Sequence, residues 1–229
     1  MSDATNLAAR LSDPSLLATK AYINGEWADA ASGNTYDVIN PARGDVIATV
    51  ADLDRADVAR AIAGAEAAQK EWTKRTAKDR ANVLRAWFNL MMENQEDLAI
   101  ILTAEMGKPL AEARGEIAYG ASFVEFFAEE AKRIHGETIP GHMPDKRITV
   151  IKQPIGVAAS ITPWNFPNAM ITRKCAPALA AGCGFVARPS ELTPLSALAL
   201  GVLADRAGLP AGILQIVPSN DASPIGKEF

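Results

Sequence analysis

The fold is decided by the stretch IGVAASITPWNFP, which covers residues 155–167. Its first part, Ile155–Ile161, is small and apolar, which is typical of a β-strand that is covered on both faces. The segment Thr162–Pro167 that follows holds two prolines and two aromatic residues around one amide side chain, that of Asn165. Because ligands of open α/β sheets bind where a parallel strand ends, this loop is the first candidate for a functional site.

Downstream of this loop the sequence alternates between helix and strand patterns. A helix ends at Gly182, a strand covers Phe185–Ala187, a second helix runs from Thr193 to Gly208, and a third strand covers Ile213–Val217. Such alternation predicts a parallel sheet with right-handed crossovers. No helix pattern follows the third strand, so we expect one edge and one apolar flank of the sheet to be exposed there.

Upstream of the loop the sequence predicts first strands and then helices. Residues 21–50 are typical of short strands joined by tight turns, one of them at Asn24-Gly25. Residues 54–133 carry apolar side chains at helical spacing and predict four helices, the first capped by Asp54. We expect the fourth helix to run as far as the glycine at position 136.

Residues 137–153 predict a two-stranded ribbon with little core of its own. A lone ribbon of this kind is marginal in water, so we expect an arm that pairs with another surface. The fold class is therefore α/β, with a helical region and a β-arm before a partial, Rossmann-type parallel sheet. Its regions are a tail at 1–20, strands and helices at 21–136, the arm at 137–153 and the sheet at 154–229.

Composition excludes several classes of protein. Of 229 residues, 48% are hydrophobic and 22% are charged, which is ordinary for a globular protein. A net charge of -4 favours neither nucleic acid nor an anionic membrane as a partner. No apolar run is long enough for a transmembrane helix, and no spacing of residues predicts a metal site. Two cysteines build no disulfide scaffold, so we expect a reducing, cytoplasmic location.

The amide of Asn165 has two interpretations on spacing alone. It can donate an N–H to an oxygen that gains negative charge during a reaction. It can equally hydrogen-bond its own loop, and this is the commoner role of asparagine in turns. Spacing does not decide between the two.

Several further motifs accompany this loop. They are Asn24–Trp27, Asn40–Ala42, Glu105–Pro109, Glu112–Glu116, Gln153–Val157 and Thr193–Ala197. With Trp164–Pro167 they closely resemble the NAD(P)-dependent aldehyde dehydrogenase superfamily, and the resemblance covers nearly the whole chain from residue 20. Asp145–Arg147 and Met170–Lys174 resemble the succinate-semialdehyde dehydrogenase branch of that superfamily.

This resemblance implies roles for the loop residues. Asn165 matches the oxyanion-hole amide, which binds the aldehyde oxygen as it becomes a thiohemiacetal alkoxide. Thr162, Pro163 and Trp164 match positions that line the nicotinamide side of the cleft. Arg173 matches a position that binds the distal carboxylate of succinate semialdehyde, for which a guanidinium fork is well suited. The alternative for Arg173 is an ordinary arginine on a helix surface.

The resemblance also implies an adenosine site at Arg188, Ser190 and Glu191. Arg188 stands where the family has a lysine. A carboxylate that accepts hydrogen bonds from both ribose hydroxyls repels a 2′-phosphate, so Glu191 favours NAD, with NADP possible. The alternative for Glu191 is a solvated carboxylate at a helix N-terminus.

Two motifs of the family do not occur in this sequence. They are the Gly-Gln-x-Cys motif of the nucleophile and the Glu-Leu-Gly-Gly motif of the general base, whereas Cys175 and Cys183 lie in contexts typical of buried thiols. We therefore expect the N-terminal portion of an enzyme that oxidises an aldehyde to a carboxylate and forms a homo-oligomer, with the catalytic domain absent and the chain alone inactive. The alternatives are a non-catalytic module for nucleotide binding or subunit pairing, and one half of an enzyme that a second chain completes.

Overall fold

A mixed five-stranded sheet forms the centre of the protein in the computed structural model, which describes residues 6–229. The strands are β1 (Ala21–Ile23), β2 (Glu26–Ala28), β3 (Thr35–Ile39), β4 (Val46–Ala51), β5 (Glu137–Pro140), β6 (Arg147–Val150), β7 (Val157–Ile161), β8 (Gly184–Arg188) and β9 (Leu214–Ile216). The helices are α1 (Arg55–Trp72), α2 (Ala77–Glu93), α3 (Gln95–Met106), α4 (Leu110–Glu130), α5 (Ala169–Ala181), α6 (Pro194–Arg206) and α7 (Ala222–Gly226).

The parallel part of this sheet consists of β7, β8 and β9. Val157 pairs with Gly184, and Phe185 pairs with Leu214. Helix α5 connects the first two strands and α6 the next two, so the predicted alternation of strands and helices is confirmed. The spatial order β9-β8-β7 matches one half of a doubly wound sheet, and β7 lies at the edge of the parallel part.

The prediction of an exposed edge and an exposed apolar flank at the third parallel strand, with no helix after it, is wrong: α7 follows β9, and its Ile225 is buried in the same cluster as Val217. Strand β1 pairs antiparallel with β9 through Tyr22 and Ile216, β2 continues the sheet beyond β1, and every residue of β9 is buried. The strand pair at 21–28 is remote in sequence, and no local pattern shows what it pairs with. The two edge strands of this sheet among residues 6–229 are β2 and β7, and β7 is the edge of its parallel part.

The turn between β1 and β2 docks onto the start of β9. Asn24 and Gly25 both have positive φ, 55° and 82°, as the predicted two-residue hairpin turn requires. The Asn24 backbone N–H donates to Oε1 of Gln215 at 2.7 Å, and Nε2 of Gln215 donates to Oδ1 of Asn24 at 2.9 Å. The side chain of Gln215 therefore joins this hairpin to the parallel strands.

The helices begin and end largely where the sequence predicts. Asp54 caps α1 through a capping box with Asp57, and α3 ends at Gly107, which has a left-handed φ of 84°. Helix α4 is shorter than predicted: it ends at Glu130 and continues as a 3₁₀ turn over Ala131–Arg133 instead of reaching position 136.

The N-terminal segment and the arm differ in burial. In the segment 6–20, apolar side chains such as Leu16 are buried, and Asp97 accepts hydrogen bonds from the N–H groups of Ser12 and Asp13 at 2.9 and 2.7 Å. The rest of the predicted tail, residues 1–5, lies outside the described residues. Strands β5 and β6 form the predicted ribbon, and the described part of the chain leaves all of their residues exposed.

Candidate functional site

The loop Thr162–Pro167 connects β7 to α5 at the carboxyl end of the parallel strands. The Thr162 N–H donates to the Arg188 carbonyl at 3.1 Å, which continues the pairing of β7 with β8 and anchors the start of the loop. Trp164, Asn165 and Phe166 are all exposed. Within residues 6–229 the Asn165 side chain makes no hydrogen bond, so its amide faces outward and does not tie its own loop.

The two neighbours of Asn165 in the chain line different depressions, and Asn165 itself lines neither. Trp164 lines a pocket of about 390 Å³ together with Glu191 and Thr193. Phe166 lines a smaller depression that it shares with Tyr119. The structure therefore brings Trp164 and Glu191 into one pocket and directs Phe166 to another.

The depression lined by Phe166 adjoins a larger groove at Tyr119. Tyr119 also lines this groove, whose volume is about 990 Å³ and whose wall includes Phe123, Phe126 and Arg173. The Arg173 guanidinium is exposed and makes no ion pair with any residue between 6 and 229. The loop therefore contributes Trp164 to the pocket at Glu191 and Phe166 to the depression that shares Tyr119 with the groove at Arg173.

The predicted adenosine residues lie at the end of β8. Arg188 is buried, and its Nη2 donates to Oε2 of Glu191 and to the Ser219 carbonyl, both at 3.0 Å. Ser190 is also buried and accepts a hydrogen bond from the Leu192 N–H at 3.3 Å. Of the three predicted residues, only Glu191 presents a partly exposed side chain, while the other two lie beneath it.

These residues fit a dinucleotide. The carboxyl ends of the parallel strands meet here, and Glu191 offers a carboxylate toward solvent. Two buried polar atoms nearby, Nε of Arg188 and Oγ1 of Thr193, have no hydrogen-bond partner within residues 6–229. Ribose hydroxyls are groups that such a carboxylate can bind.

Glu105 is a member of this pocket that the analysis of the sequence did not single out. Its carboxylate is buried and accepts hydrogen bonds from the N–H groups of Leu195 and Ser196, at 2.7 and 2.8 Å, at the start of α6. Burial raises the pKa of Glu105 to about 8, against the lowering effect of these donors. The signal that marks it in the sequence is its position at the head of the Glu105–Pro109 motif.

A buried ion pair beneath the loop was also missed. The Lys108 Nζ contacts Oε2 of Glu116, donates to the Asn165 carbonyl at 3.1 Å, and lies 3.9 Å from the ring centroid of Phe166. The Glu116 Oε1 accepts hydrogen bonds from the N–H groups of Asn168 and Ala169 at 3.0 and 3.4 Å. Both residues belong to motifs of the resemblance, but spacing alone assigns them no partner.

Neither cysteine has the environment of a nucleophile. Cys175 and Cys183 are buried, and burial raises the pKa of the Cys175 thiol far above its ordinary value. The Cys175 thiol donates to the Thr172 carbonyl at 3.8 Å, inside its own helix.

Metal-ligand clusters and membrane-spanning helices are both absent from residues 6–229. Over residues 6–229 no three side chains of histidine, cysteine, aspartate or glutamate cluster in a way that could hold a metal ion. None of the helices in that range has the length and the apolar character needed to cross a bilayer.

Comparison with known proteins gives a consistent result. The profile of the aldehyde dehydrogenase family matches residues 27–229. The chain is 61% identical to glutarate-semialdehyde dehydrogenase of Pseudomonas putida, over 96% of this chain and 46% of the relative. It is 58% identical to the NADP(+) succinate-semialdehyde dehydrogenase of Escherichia coli, over 96% of this chain and 45% of that protein.

A solved structure agrees with these sequence matches. The crystal structure of an aldehyde dehydrogenase from Brucella melitensis biovar abortus superposes with a TM-score of 0.94 at 59% identity. The superposition covers 95% of this chain and 45% of the other. The chain thus spans about half the length of the curated relatives it matches. Because sequence and fold agree over almost all of its residues, the chain belongs to the aldehyde dehydrogenase family.

Proposed function

We propose that this chain provides the oxyanion donor and the adenosine site of an NAD-dependent dehydrogenase that oxidises a short, anionic aldehyde to its carboxylate. The position of Asn165 carries this proposal. Its exposed amide lies between Trp164, which lines a pocket with Glu191, and Phe166, which lines a depression that shares Tyr119 with the aromatic groove at Arg173. A cofactor on one side and an aldehyde on the other would meet at this amide.

The chemistry assigned to Asn165 is electrostatic. When a nucleophile adds to an aldehyde, the carbonyl oxygen gains negative charge, and an amide N–H fixed toward it stabilises that charge. Bound NAD would accept the hydride that the aldehyde carbon loses. The Asn165 amide is suited to the first role because its backbone is anchored through Lys108 while its side chain has no competing partner within residues 6–229.

Glu191 supports a preference for NAD over NADP. Its carboxylate can accept hydrogen bonds from both hydroxyls of a ribose, whereas it repels the charge of a 2′-phosphate. The buried Arg188 guanidinium holds this carboxylate in place at 3.0 Å. One relative is named as an NADP(+) enzyme, so the preference proposed for this chain depends on the local pair and not on the family.

Arg173 supports an aldehyde with an anionic group at its far end. Three relatives at 58% identity or above are named for glutarate semialdehyde, succinate semialdehyde and 3-sulfolactaldehyde. Each of these aldehydes carries a carboxylate or a sulfonate away from the reacting carbon. The exposed guanidinium of Arg173 in an aromatic groove is a fitting partner for such a group, and we take succinate semialdehyde as the first candidate.

A fusion enzyme tests this function. It consists of this chain followed by the part of the Pseudomonas putida glutarate-semialdehyde dehydrogenase that lies beyond the matched region. We expect NADH to form from succinate semialdehyde, with a higher kcat/KM than from an uncharged aldehyde of similar length. No NADH from any short semialdehyde, while the intact relative is active under the same conditions, would show that this chain does not provide the proposed half-site.

The exposed ribbon of β5 and β6 favours one further role, the pairing of subunits. All of its residues are exposed on the described chain, and it carries apolar side chains such as Ile139 and Ile148. We propose that this arm pairs the protein with a second copy of itself.

A further inference from the structure

The ion pair of Lys108 and Glu116 is unusual in this protein for its burial. The two side chains are 8% and 1% exposed, whereas every other ion pair of residues 6–229 has at least one partner that is more than a fifth exposed. Removing two charges from water is costly, and hydrophobic residues of similar volume often stabilise a fold as well. The burial of this pair therefore indicates a role other than stability.

Lys108 is held by its neighbours in the chain. Gly107 ends α3 with a left-handed φ of 84°, and Pro109 precedes α4 with a φ of -53°, so Lys108 lies on a short, rigid connection. Within residues 6–229 the polar and cation–π partners of its ammonium group are the Asn165 carbonyl, the face of Phe166 and the Glu116 carboxylate.

Glu116 holds the other end of the same segment. Helix α5 begins at Ala169, and its cap residue Asn168 makes no capping hydrogen bond with its side chain. Glu116 reaches across from α4 and accepts from both the Asn168 and the Ala169 N–H groups, so it supplies the acceptor and the negative charge that a helix N-terminus favours. The two helices approach so closely that a Cβ on Gly120 would overlap the Asn168 side chain.

We propose that Lys108 and Glu116 are positioning residues for Asn165, which together fix the backbone from its carbonyl to the first amides of α5. The inference rests on the proposed function, because it gives Asn165 the oxyanion role. An oxyanion donor has to be in place before charge develops, since reorganisation during the reaction would consume its benefit. A loop whose three central side chains are exposed has little burial of its own to hold it. The ion pair supplies that restraint from beneath.

The first test is kinetic and uses the fusion enzyme. Lys108→Met, Asn165→Ala and the double variant are compared, with Lys74→Met as a matched control because Lys74 also pairs with a glutamate, at an exposed site. We expect Lys108→Met to lower kcat about tenfold or more with little change in KM, since a misplaced donor weakens the transition state more than the bound substrate. In the Asn165→Ala background the same change should lower kcat less than about twofold, because the two residues act as one unit.

Two kinetic outcomes would overturn the proposal. One is an equal proportional loss of kcat from Lys108→Met in the parent and in the Asn165→Ala background, and the other is an unchanged kcat when Lys108→Met is made in the parent. If the single variant does not fold, because it leaves Glu116 as a lone buried charge, Lys108→Met/Glu116→Gln removes both charges and keeps an acceptor for α5. The same expectations then apply to that variant.

The second test does not depend on activity. Amide hydrogen exchange, followed by mass spectrometry on peptides that cover residues 162–170, reports directly on the restraint. We expect Glu116→Ala to speed exchange of the Asn168 and Ala169 amides at least about tenfold, with α2 unchanged as an internal control. Unchanged exchange would refute the positioning role. Faster exchange in a fusion enzyme that oxidises no aldehyde would support the positioning role and refute only the proposed function.

Discussion

At the scale of single residues, Glu191 acts together with the arginine beneath it. Arg188 donates to Glu191 and to the Ser219 carbonyl, so the carboxylate is held and partly neutralised at the same time. Repulsion of a 2′-phosphate is then weaker than for a lone carboxylate. The proposed preference for NAD would then rest more on the hydrogen bonds that the carboxylate would accept from a ribose, so removal of the carboxylate has a specific expected effect.

Glu191→Ser in the fusion enzyme should shift the preference toward NADP. Removing the carboxylate frees the Nη2 of Arg188 for a phosphate oxygen and takes away two ribose contacts. Because charged hydrogen bonds contribute about 1.5–3 kcal/mol, we expect the ratio of kcat/KM for NADP to that for NAD to rise at least about tenfold. Steady-state kinetics with both cofactors provides the measurement. A parent enzyme that already prefers NADP, or a ratio that does not move, contradicts the assignment.

Arg173 makes a separate prediction about substrate. In the fusion enzyme Arg173→Ala should raise KM for succinate semialdehyde more than KM for an uncharged aldehyde of similar length. Loss of a charged pair worth about 2 kcal/mol corresponds to a factor of about 30. Lys174→Ala is the matched control, because Lys174 lines the same groove but donates to the Met170 carbonyl of its own helix. Equal effects on both aldehydes would assign Arg173 a structural role only.

Glu105 couples stability to pH. Its ordinary pKa is 4.5 and burial raises it to about 8, so between these values the folded chain keeps a proton that the unfolded chain releases. Its contribution is therefore fully present below about pH 4.5 and is lost as the pH rises toward 8. Urea unfolding should show that the free energy of unfolding of the parent falls relative to that of Glu105→Gln, by up to about 1.4 kcal/mol per pH unit. Parallel pH profiles for the two proteins would rule this out.

At the scale of elements, the hairpin of β1 and β2 covers the edge of β9. Its turn is tightly placed: a Cβ on Gly25 would lie 2.5 Å from the Cβ of Ala211, and Gly25 has a φ of 82°. We expect Gly25→Ala to lower the free energy of unfolding by about 2–4 kcal/mol, from backbone strain and overlap together. Gly33→Ala is the control, because Gly33 has a φ of 75° but no atom within 4 Å of its Cβ position. Equal losses in the two variants, measured by urea unfolding, would show that the turn does not dock.

The arm makes a prediction about assembly. Ile139 and Ile148 face each other across β5 and β6 and are exposed on the described chain. Ile148→Asp in the fusion enzyme should weaken self-association, because a charge in a pairing surface is desolvated without a partner. Light scattering across a dilution series measures the oligomer, and Thr149→Asp on the opposite face of the same strand provides the comparison. An oligomer that both variants leave intact contradicts the pairing role.

Local signals explain which elements are predictable from the sequence. Asp54, Gly107 and Gly182 mark helix ends within a few residues of themselves, and the parallel strands follow from the same short-range pattern. The pairing of Tyr22 with Ile216 has no such signal, since neither residue reveals a partner that is remote in the chain. The candidate site likewise has one part with a local sequence signal and one part that depends on contacts between remote residues. The motif around Asn165 is local, whereas the contact of Lys108 and Glu116 with that loop depends on how α4 packs against α5.

At the scale of the whole molecule, exposed apolar side chains gather near the free edge of β7. Ile155 is 86% exposed and Ile161 is 51% exposed, while β9, expected to be open, is covered. We expect the 229-residue chain to bind an apolar dye more strongly than the fusion enzyme does, and to form no NADH from succinate semialdehyde. Turnover by the chain alone that survives Cys175→Ser but is lost in Cys183→Ser would make Cys183 a nucleophile and would contradict this expectation.

The kinetics of an alanine variant test whether Asn165 stabilises negative charge on the aldehyde oxygen. The kcat and KM of the fusion enzyme for succinate semialdehyde are compared between the parent and Asn165→Ala. Loss of one oxyanion donor should lower kcat about 100- to 1,000-fold, with little change in KM and with the exchange of the 162–170 amides preserved. A kcat within about twofold of the parent value would contradict the claim.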